Sequence, residues 1–500
     1  MERLSVATLD RLPAQVRRPS YDRSELKPGV VHIGLGAFQR AHQAPVFDQL
    51  AESGDLRWGV VGASLRSPAV RDALEPQDCL YSLVVEDGAD RSASVIGSLK
   101  QVIVAPEQPR RLIETIASAE TRLVTATVTE KGYKLDPSSG ALIEDDPDVR
   151  ADFRSLEAPR TLPGYLAAGL ALRRERGLNP LTIVSCDNMT ANGGKLQTSV
   201  AQVMRAHHPG LAEWIEAECA FPNTMVDRIV PATHEAGIEL VAAELGVMDR
   251  ATVRTEPFSQ WVIEDRFAGE RPDFERVGVQ LTEDVAPWEE AKLRLLNGAH
   301  SATAYLGGLA GIATVDRFVR EPWGSMFIEL LWDELRPTLH PPPQLNLGQY
   351  CATLMQRFGN SALGHRLTQI AMDGSQKIPQ RLVPAAIERL ERGRSVDAIG
   401  LAIAAWMRWQ EGCTDEGVRF AADDPLSSTT ARLIGSSTNA GKVQALLSLS
   451  AVFPGQLRDN QHFQSTLTGQ FESLQRIGAR ATVERFVLGR AGALQGRPRT

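Results

Sequence analysis

Cysteine is scarce in this sequence, and its spacing excludes the usual cysteine-based frameworks. The five cysteines are odd in number and widely separated: Cys79, Cys186, Cys219, Cys351 and Cys413. None forms a C-x-x-C pair or a C-x-x-H cluster of the kind that binds zinc. The pattern argues against a disulfide scaffold and a metal site, and it predicts a reduced, cytoplasmic compartment.

Long apolar runs and an excess of basic charge are also missing. No stretch reaches about 18 consecutive apolar residues, and residues 1–29 contain acids and prolines where a signal peptide needs an apolar segment. The formal net charge is −7, with acids and bases interspersed, so no basic stripe is available for a phosphate backbone. We expect a protein that neither spans a membrane nor is exported, and that has no nucleic-acid partner.

What the sequence does have is the composition of a packed protein. Of its 500 residues, 43% are hydrophobic and 23% are charged, and no low-complexity tract indicates disorder. Because one hydrophobic core rarely organises a chain of this length, two domains are expected.

Strand and helix patterns alternate over residues 1–285. Short apolar runs predict strands at 29–33, 58–62, 123–128 and 182–185. Helical periodicity occurs at 42–51, 69–74 and 162–177. Because parallel strands need crossover connections, this alternation predicts an α/β domain with a mostly parallel sheet, similar to a Rossmann domain.

The pattern becomes mainly helical after Pro287. Helical periodicity occurs at 288–309, 323–335, 396–410 and 441–452. We therefore predict a second domain, residues 286–500, that is mainly α-helical. No flexible Gly/Ser linker separates the domains, so we expect them to be closely joined with a cleft between them.

A glycine-rich turn follows the first predicted strand. Gly34-Leu35-Gly36-Ala37-Phe38-Gln39 matches the beginning of the GxGxxG pattern, with Gln39 in place of the third glycine. Two glycines let the backbone approach a pyrophosphate, which would make Gly34, Gly36, Ala37 and Phe38 cofactor-binding residues. An ordinary glycine turn is the alternative.

The end of the second predicted strand lacks the acid that usually holds the adenosine ribose. The segment there reads Ala63-Ser64-Leu65-Arg66-Ser67-Pro68-Ala69. Arg66 and Ser67 are suited to a ribose phosphate, although a surface arginine is commonly just solvated. Both NAD and NADP stay open as cofactors.

Four polar residues cluster at the start of the second domain. Glu289, Lys292, Asn297 and His300 span an arc of about 140° on an α-helix, with Asn297 at its edge. Oxidation of an alcohol needs a base for the hydroxyl proton and donors for the developing alkoxide, which lysine, asparagine and histidine supply. A desolvated lysine has a lowered pKa, and a neighbouring glutamate would exchange its proton with solvent. The alternative is that each residue is structural or solvated.

Further polar residues follow other predicted strands and helices. Asn188 ends a strand of the sheet domain, where ligands bind, whereas Asn192 is interpreted as a helix cap. Asp227 beside Arg228 has a salt bridge as its simplest interpretation.

Three cations elsewhere are also candidates for the site. Lys131 closes the segment TVTEKGY, and Lys377 and Arg381 lie in DGSQKIPQR. Each is able to pair with a substrate carboxylate.

Several motifs in order along the chain resemble one family. They are GLGAFQRAHQA, WGVVGASLRS, TVTEKGY, SCDNMTANG, FPNTMVDR, EPFSQWVIED, KLRLLNGAH and DGSQKIPQR. Together they resemble the polyol-specific long-chain dehydrogenases, which include mannitol 2-dehydrogenase and fructuronate reductase. The resemblance implies a nicotinamide cofactor, no metal, and a catalytic site where a Rossmann-like domain meets a helical one.

The resemblance also implies roles for individual residues. Lys292 is similar to the family's general acid/base, Asn297 and Asn188 to its oxyanion-stabilising pair, and His300 to a substrate-orienting residue. Glu289 matches a proposed proton relay. Asp227 and Lys377 match positions that line the substrate site.

Two departures bear on cofactor and substrate. Pro68 and Ala69 replace the acids that NAD-dependent mannitol dehydrogenases have after LRS, and Lys131 replaces a glycine. The second favours a sugar acid, so we expect interconversion of D-mannonate and D-fructuronate, by a monomer or small homo-oligomer. Mannitol 2-dehydrogenase is the alternative, and a non-catalytic sugar or nucleotide sensor is a more remote one.

Overall fold

The computed structural model describes residues 1–136, 139–435 and 438–495. The chain divides into two compact units, the first from Met1 to Ala286 and the second beginning at Pro287. Among the described residues, no helix has the length and apolar composition needed to cross a lipid bilayer.

The first unit contains eleven strands among its described residues. They are β1 (Val30–Ile33), β2 (Val60–Ser64), β3 (Tyr81–Asp87), β4 (Asp90–Ile96), β5 (Leu99–Val104), β6 (Leu123–Ala126), β7 (Thr182–Ser185), β8 (Thr224–Asp227), β9 (Val253–Thr255), β10 (Gln260–Glu264) and β11 (Gln280–Thr282).

Nine α-helices accompany these strands in the same described residues. They are α1 (Ala37–Ala41), α2 (Gln43–Glu52), α3 (Ala69–Leu74), α4 (Pro109–Ile116), α5 (Pro147–Arg154), α6 (Leu162–Glu175), α7 (Asn192–His207), α8 (Pro209–Glu218) and α9 (Glu235–Leu245).

The central sheet confirms the predicted fold class. Its five strands are all parallel, in the order β5-β2-β1-β6-β7, and Val30 pairs with Val60 on one side and Leu123 on the other. Successive side chains of a strand point to opposite faces. Val31 and Ile33 accordingly enter one hydrophobic cluster and Val30 the other. Helices cover both faces because both are apolar.

Two small mixed sheets are additional to the prediction. One has the order β4-β3-β9 and the other β11-β10-β8, and each combines one parallel with one antiparallel pair. β3 and β4 form a hairpin in which Asp87 pairs with Asp90. The Asp87-Gly88 dipeptide between two runs of alternating residues is a hairpin signal.

The second unit is mainly helical in its described residues, as predicted. Its helices are α10 (Ala286–Ala291), α11 (Gly298–Leu309), α12 (Val315–Arg320), α13 (Pro322–Leu335), α14 (Leu347–Gly359), α15 (Leu367–Ile370), α16 (Gly374–Arg381), α17 (Val383–Glu391), α18 (Asp397–Trp409), α19 (Ser427–Ile434), α20 (Asn439–Leu447), α21 (Gly455–Arg458) and α22 (Gln461–Gln495), which is interrupted at Gly478. Buried α11 and α18 form its centre.

Candidate active site

The turn after β1 requires glycine at its first position. Gly34 has a φ of +97°, and a β-carbon added there would lie 2.0 Å from the carbonyl oxygen of Thr127. The N–H groups of Gly34 and Leu35 donate to the carbonyl oxygen of Ala63 at 2.8 and 3.2 Å. At Gly36, the nearest atom to an added β-carbon is 3.8 Å away. The turn therefore has no space for a side chain at Gly34, whereas space is free beside Gly36.

A cleft of about 630 Å³ opens at the carboxyl edge of the parallel sheet. It lies beside β1 where the strand order reverses, with β2 on one side and β6 on the other. Open α/β sheets bind their ligands at this place. The lining residues include Gly34, Gly36, Ser64, Arg66, Thr127, Thr129, Lys134, Asp148 and Arg160. The predicted residues Gly34, Gly36 and Arg66 therefore share one cleft.

Ala37, Phe38 and Ser67 belong to the segments beside this cleft and not to its described lining. Ala37 begins α1, and the Phe38 ring stacks on His42 with ring centroids 5.0 Å apart. Ser67 Oγ accepts a hydrogen bond from the N–H of Ala69 at 3.2 Å, at the start of α3. These side chains support the two turns.

The lining of the cleft fits a dinucleotide. The open side of Gly36 permits close approach of a pyrophosphate, and the cleft is within the usual size range of small-molecule sites. Asp148 is the only acid among the described lining residues, and Lys134 Nζ lies 3.4 Å from its carboxylate. Arg66 is exposed at the end of β2. The adenosine side of the cleft thus offers a guanidinium where many dinucleotide sites have a carboxylate.

A buried carboxylate organises the loop after β6. Asp187, just beyond β7, accepts hydrogen bonds from the N–H groups of Val128 and Thr129 at 2.9 and 2.8 Å. The Tyr133 hydroxyl also donates to it at 2.8 Å. Burial raises the pKa of Asp187, and these three hydrogen bonds oppose that rise. The loop that lines the cleft is therefore fixed from the neighbouring strand.

Asn192 links two strand ends instead of capping a helix, which corrects our interpretation. Its side-chain N–H₂ donates to the carbonyl oxygens of Asp187 and Thr224 at 2.9 and 3.0 Å, and its Oδ1 accepts from the Thr224 N–H at 2.9 Å. The residue preceding α7 is Ala191, with a φ of 51°. A sequence cannot distinguish such a cross-link from a cap, because both satisfy backbone groups near a helix start.

The remaining predicted residues of the first unit lie at the ends of strands or in the segments that follow them. Asn188 is exposed directly after Asp187, and Asp227 is buried as the last residue of β8. Arg228 donates to the carbonyl oxygen of Glu256 at 3.0 Å, and burial lowers its pKa to about 10. Lys131 is exposed on the turn between Thr129 and Tyr133, outside the described lining of the cleft.

The Lys–Asn–His segment contains a π-helical stretch that the sequence analysis did not predict. Residues Lys292–Asn297 have π-helical hydrogen bonding between α10 and α11. The predicted arc of about 140° assumed α-helical turns of 3.6 residues. In a wider helical turn, successive residues are separated by a smaller angle about the helix axis. Asn297 therefore lies closer to the helix face of Lys292 than the α-helical estimate placed it. Glu289, Lys292 and Asn297 are each 8% exposed and His300 is 7% exposed.

His300 is held between two rings. Its ring centroid lies 4.7 Å from that of Phe358 and 5.2 Å from that of His365. Burial lowers the pKa of His300 well below its ordinary value, and the charges of His365, Arg381 and Arg357 add to this effect. The imidazole is therefore neutral near pH 7. Its Nε2 has no hydrogen-bond partner in the part of the chain that the structure describes.

Helix α16 brings both of its predicted cations to this segment. Arg381 donates to the carbonyl oxygen of Asn297 at 3.2 Å and to Ser301 Oγ at 3.0 Å. Lys377, one turn earlier, donates to the carbonyl oxygen of Ile370 at 3.2 Å, and its charge also lowers the pKa of His300. The second unit therefore brings together Asn297, His300, Lys377 and Arg381.

Comparison with known families covers both units. A model for the mannitol dehydrogenase Rossmann domain matches residues 28–276, and one for the mannitol dehydrogenase C-terminal domain matches residues 284–475. The chain belongs to the mannitol dehydrogenase family. It is thus an oxidoreductase of the type that acts on CH–OH groups.

Curated relatives within the mannitol dehydrogenase family have different substrates in their names. The chain is 40% identical to the D-mannonate oxidoreductase of Escherichia coli (strain K12), over 94% of this chain and 97% of that protein. It is 39% identical to a mannitol 2-dehydrogenase of Phaeosphaeria nodorum, over 94% of this chain and 83% of that protein. Relatives named for different substrates are therefore almost equally similar to this chain, so sequence identity does not select the substrate.

Solved structures confirm the predicted fold. Mannitol 2-dehydrogenase of Pseudomonas fluorescens, solved as a ternary complex with NAD and D-mannitol, is similar with a TM-score of 0.85 at 35% identity, over 97% of this chain and 99% of that chain. A substrate-free D-sorbitol dehydrogenase gives a TM-score of 0.89 at 30% identity, over 96% and 100% of the two chains.

Sequence reasoning missed several residues that shape these two sites. Asp187 and Thr129 define the loop beside the cleft, while Phe358 and His365 flank His300. A signal for Asp187 was present, since an acid directly after a buried parallel strand is well placed to accept hydrogen bonds from the next loop. Phe358 and His365 carry no comparable signal, because they come from segments distant in sequence.

Proposed function

We propose that this chain interconverts D-mannonate and D-fructuronate with NAD as the cofactor, and that Lys292 is the general acid/base. The observation that carries the proposal is the buried segment of the second unit in which Lys292, Asn297 and His300 follow one another on adjoining helical turns. The name of the Escherichia coli relative and the NAD of the Pseudomonas fluorescens complex support it.

The cleft of the first unit is the proposed cofactor site. Gly34 and Gly36 would let the backbone approach a pyrophosphate, and Arg66 and Ser64, which line the same cleft, would hold the adenosine ribose. A bound nicotinamide supplies the hydride acceptor in the oxidative direction. The exposed guanidinium of Arg66 also suits the 2′-phosphate of NADP.

Proton transfer is assigned to the helical segment of the second unit. In the oxidative direction, the Lys292 amine takes the proton of the substrate hydroxyl as the C–H bond gives up its hydride. Asn297 is proposed to donate a hydrogen bond to the developing alkoxide, and the family resemblance assigns the same role to Asn188. Glu289, one turn before Lys292, passes the proton on toward solvent. In the reductive direction, the protonated amine returns the proton to the oxygen.

His300 orients the substrate in this proposal. Its imidazole is neutral because burial and nearby positive charge disfavour protonation. Its Nε2 is therefore suited to form one hydrogen bond with a sugar hydroxyl. Asp227, buried at the end of β8, is proposed to accept hydrogen bonds from a second hydroxyl.

Positive charge favours a sugar acid over a neutral polyol. The pKa of His300 is lowered by the positive charges of Arg357, Lys377 and Arg381. A positive electrostatic field of this kind stabilises an anionic substrate. Lys131, exposed at the carboxyl edge of the sheet, is proposed to pair with the carboxylate of the substrate.

Steady-state kinetics with NADH and NAD test this assignment. We expect kcat/KM for D-fructuronate to exceed that for D-fructose by at least about a hundredfold, because a neutral sugar lacks the carboxylate that this positive charge attracts. Turnover of mannitol and fructose above that of the hexuronates would instead make the chain a mannitol 2-dehydrogenase. This second candidate is favoured by the similarity to the mannitol complex.

The same assay identifies the base. Lys292→Ala should lower kcat by about two to four orders of magnitude and leave the Kd of NADH unchanged. Lys442→Ala is the matched control, since Lys442 belongs to the same unit and pairs with Glu411 at 2.7 Å. A Lys292→Ala enzyme with undiminished kcat would refute the role of this amine, and a wild-type protein without turnover would favour a sensor.

A further inference from the structure

Thr129 has a backbone conformation that is unusual for a residue with a side chain. Its φ is 67° and its ψ is 159°, a region that is populated almost only by glycine. The threonine is exposed, and its own packing does not impose the conformation. It lines the cleft together with Thr127 and Val128. Such strain persists only where the surroundings hold it in place.

The surroundings that hold Thr129 converge on Asp187. One carboxylate oxygen accepts from the Thr129 N–H, and the other accepts from the Val128 N–H and the Tyr133 hydroxyl. Tyr133 is fully buried and lies 2.5 Å from Ser185 Oγ on β7. Asp187 therefore forms hydrogen bonds to the loop both before and after the exposed turn that carries Lys131.

This loop belongs to one half of the cleft. Ser64 ends β2 and Arg66 follows it, on the side of β1 that holds the adenosine ribose in dinucleotide folds. The loop from Thr127 to Thr129 follows β6 on the other side of β1. A dinucleotide that crosses the switch point would place its nicotinamide half beside this loop.

We propose that Asp187 is a positioning residue, whose carboxylate holds Thr129 in its strained conformation and so shapes the nicotinamide half of the cleft. This inference rests on the proposed function, because it assumes a dinucleotide in the cleft. We expect the adenosine half, formed by the turn after β1 and by the end of β2, to be affected much less, because the hydrogen bonds to the Asp187 carboxylate come from Val128, Thr129 and Tyr133.

Two ligands separate the halves of the cleft. NADH spans both, whereas ADP-ribose lacks the nicotinamide. For Asp187→Asn we expect the Kd of NADH, measured by fluorescence titration, to rise by at least about tenfold, because an amide repels one of the two backbone N–H donors. The Kd of ADP-ribose, measured by calorimetry, should change by less than about threefold. Adding Thr129→Gly should return the NADH value to within about threefold of wild type, since glycine adopts this conformation without strain.

Asp249→Asn is the matched control. Asp249 is a fully buried carboxylate of the same unit that accepts from the N–H groups of Ser82 and Ala251 at 2.5 and 2.8 Å, and it does not line the cleft. Its substitution should lower the Tm and leave both Kd values unchanged. This control separates loss of a buried carboxylate in general from loss of the loop anchor.

Each outcome of the titrations decides the inference. Equal weakening of both ligands in Asp187→Asn, unchanged NADH binding, or failure of Thr129→Gly to restore it would overturn the inference. Should Asp187→Asn not fold, Thr129→Gly is compared with Thr129→Ala: strain at this position predicts a higher Tm for the glycine variant, and a Tm at or below that of the alanine variant would refute the strain. Wild-type protein that binds neither ligand contradicts the proposed function itself and is seen before any variant is made.

Discussion

Two glycines of one turn have different physical reasons to be glycine. Gly34 needs its positive φ and lacks space for a β-carbon, whereas Gly36 has neither restriction. We expect Gly34→Ala to lower the free energy of unfolding by more than about 2 kcal/mol, because the left-handed conformation and the contact with the Thr127 carbonyl both penalise alanine. Gly36→Ala should fold normally and weaken NADH binding by filling the open side of the turn.

Urea unfolding and NADH titration of the two variants check this pair. The expected pattern is a stability defect in Gly34→Ala and a binding defect without a stability defect in Gly36→Ala. Unimpaired NADH binding by Gly36→Ala would show that the cofactor backbone does not approach this position.

At the same scale, sequence reasoning found residues with a local signature and missed those defined by distant contacts. The spacing of Gly34 and Gly36 predicted a turn that the structure contains. Asn192 was misinterpreted because its partner, Thr224, lies 32 residues away. Thr129 was missed because nothing in its side chain indicates a positive φ; the conformation is imposed by Asp187.

At the scale of elements, the π-helical stretch depends on helix α13. Trp332 donates from Nε1 to the carbonyl oxygen of Leu295 at 2.9 Å, inside the stretch. Its ring also stacks on Phe358 at 6.2 Å, and Phe358 contacts His300. One buried indole therefore supports both the wide turn and the histidine. Periodicity predicted the helix from 288 to 309 but not its wide turn, because the partner of that turn is on another helix.

Trp332→Phe should impair function as well as stability. Losing the indole N–H leaves the Leu295 carbonyl unsatisfied, at a cost of about 2 kcal/mol in the free energy of unfolding. If Asn297 and His300 act as proposed, kcat should also fall by about tenfold. Trp323→Phe is the control on the same helix, since Trp323 donates to Glu321 at 3.1 Å and is not bonded to the stretch. Equal kcat in the two variants would separate the stretch from catalysis.

At the scale of the whole molecule, alternation of strands and helices was sufficient to predict a parallel sheet followed by a helical unit. In the two mixed sheets, the strands Val253–Thr255 and Gln280–Thr282 were not predicted because each is three residues long and shows no clear period. Their pairing is decided by segments far apart in sequence, as between β3 and β9. Hydrophobic periodicity identifies elements that are long enough to bury one whole face, and these two strands are too short to do so.

Buried histidines in both units predict how the molecule responds to acid. Burial lowers the pKa of His32 to about 3, and it also lowers the pKa values of His300 and His365. In the unfolded chain these imidazoles titrate near pH 6.5. Below that pH the imidazoles are protonated in the unfolded state but stay neutral in the folded state. The free energy of unfolding should therefore fall as pH falls from about 6.5 toward 3.

Urea unfolding between pH 7.5 and 5.5 measures this loss, with a limiting slope of about 1.4 kcal/mol per pH unit for each imidazole. Buried carboxyls with raised pKa values, such as Asp48 and Glu334, oppose it, because the folded state favours their protonated forms. Their unfolded counterparts titrate near pH 4, so the histidines should dominate the upper part of the window. His365→Asn removes one of the three imidazoles and should make the slope shallower. A slope that is unchanged in this variant would mean that His365 titrates alike in the folded and unfolded states.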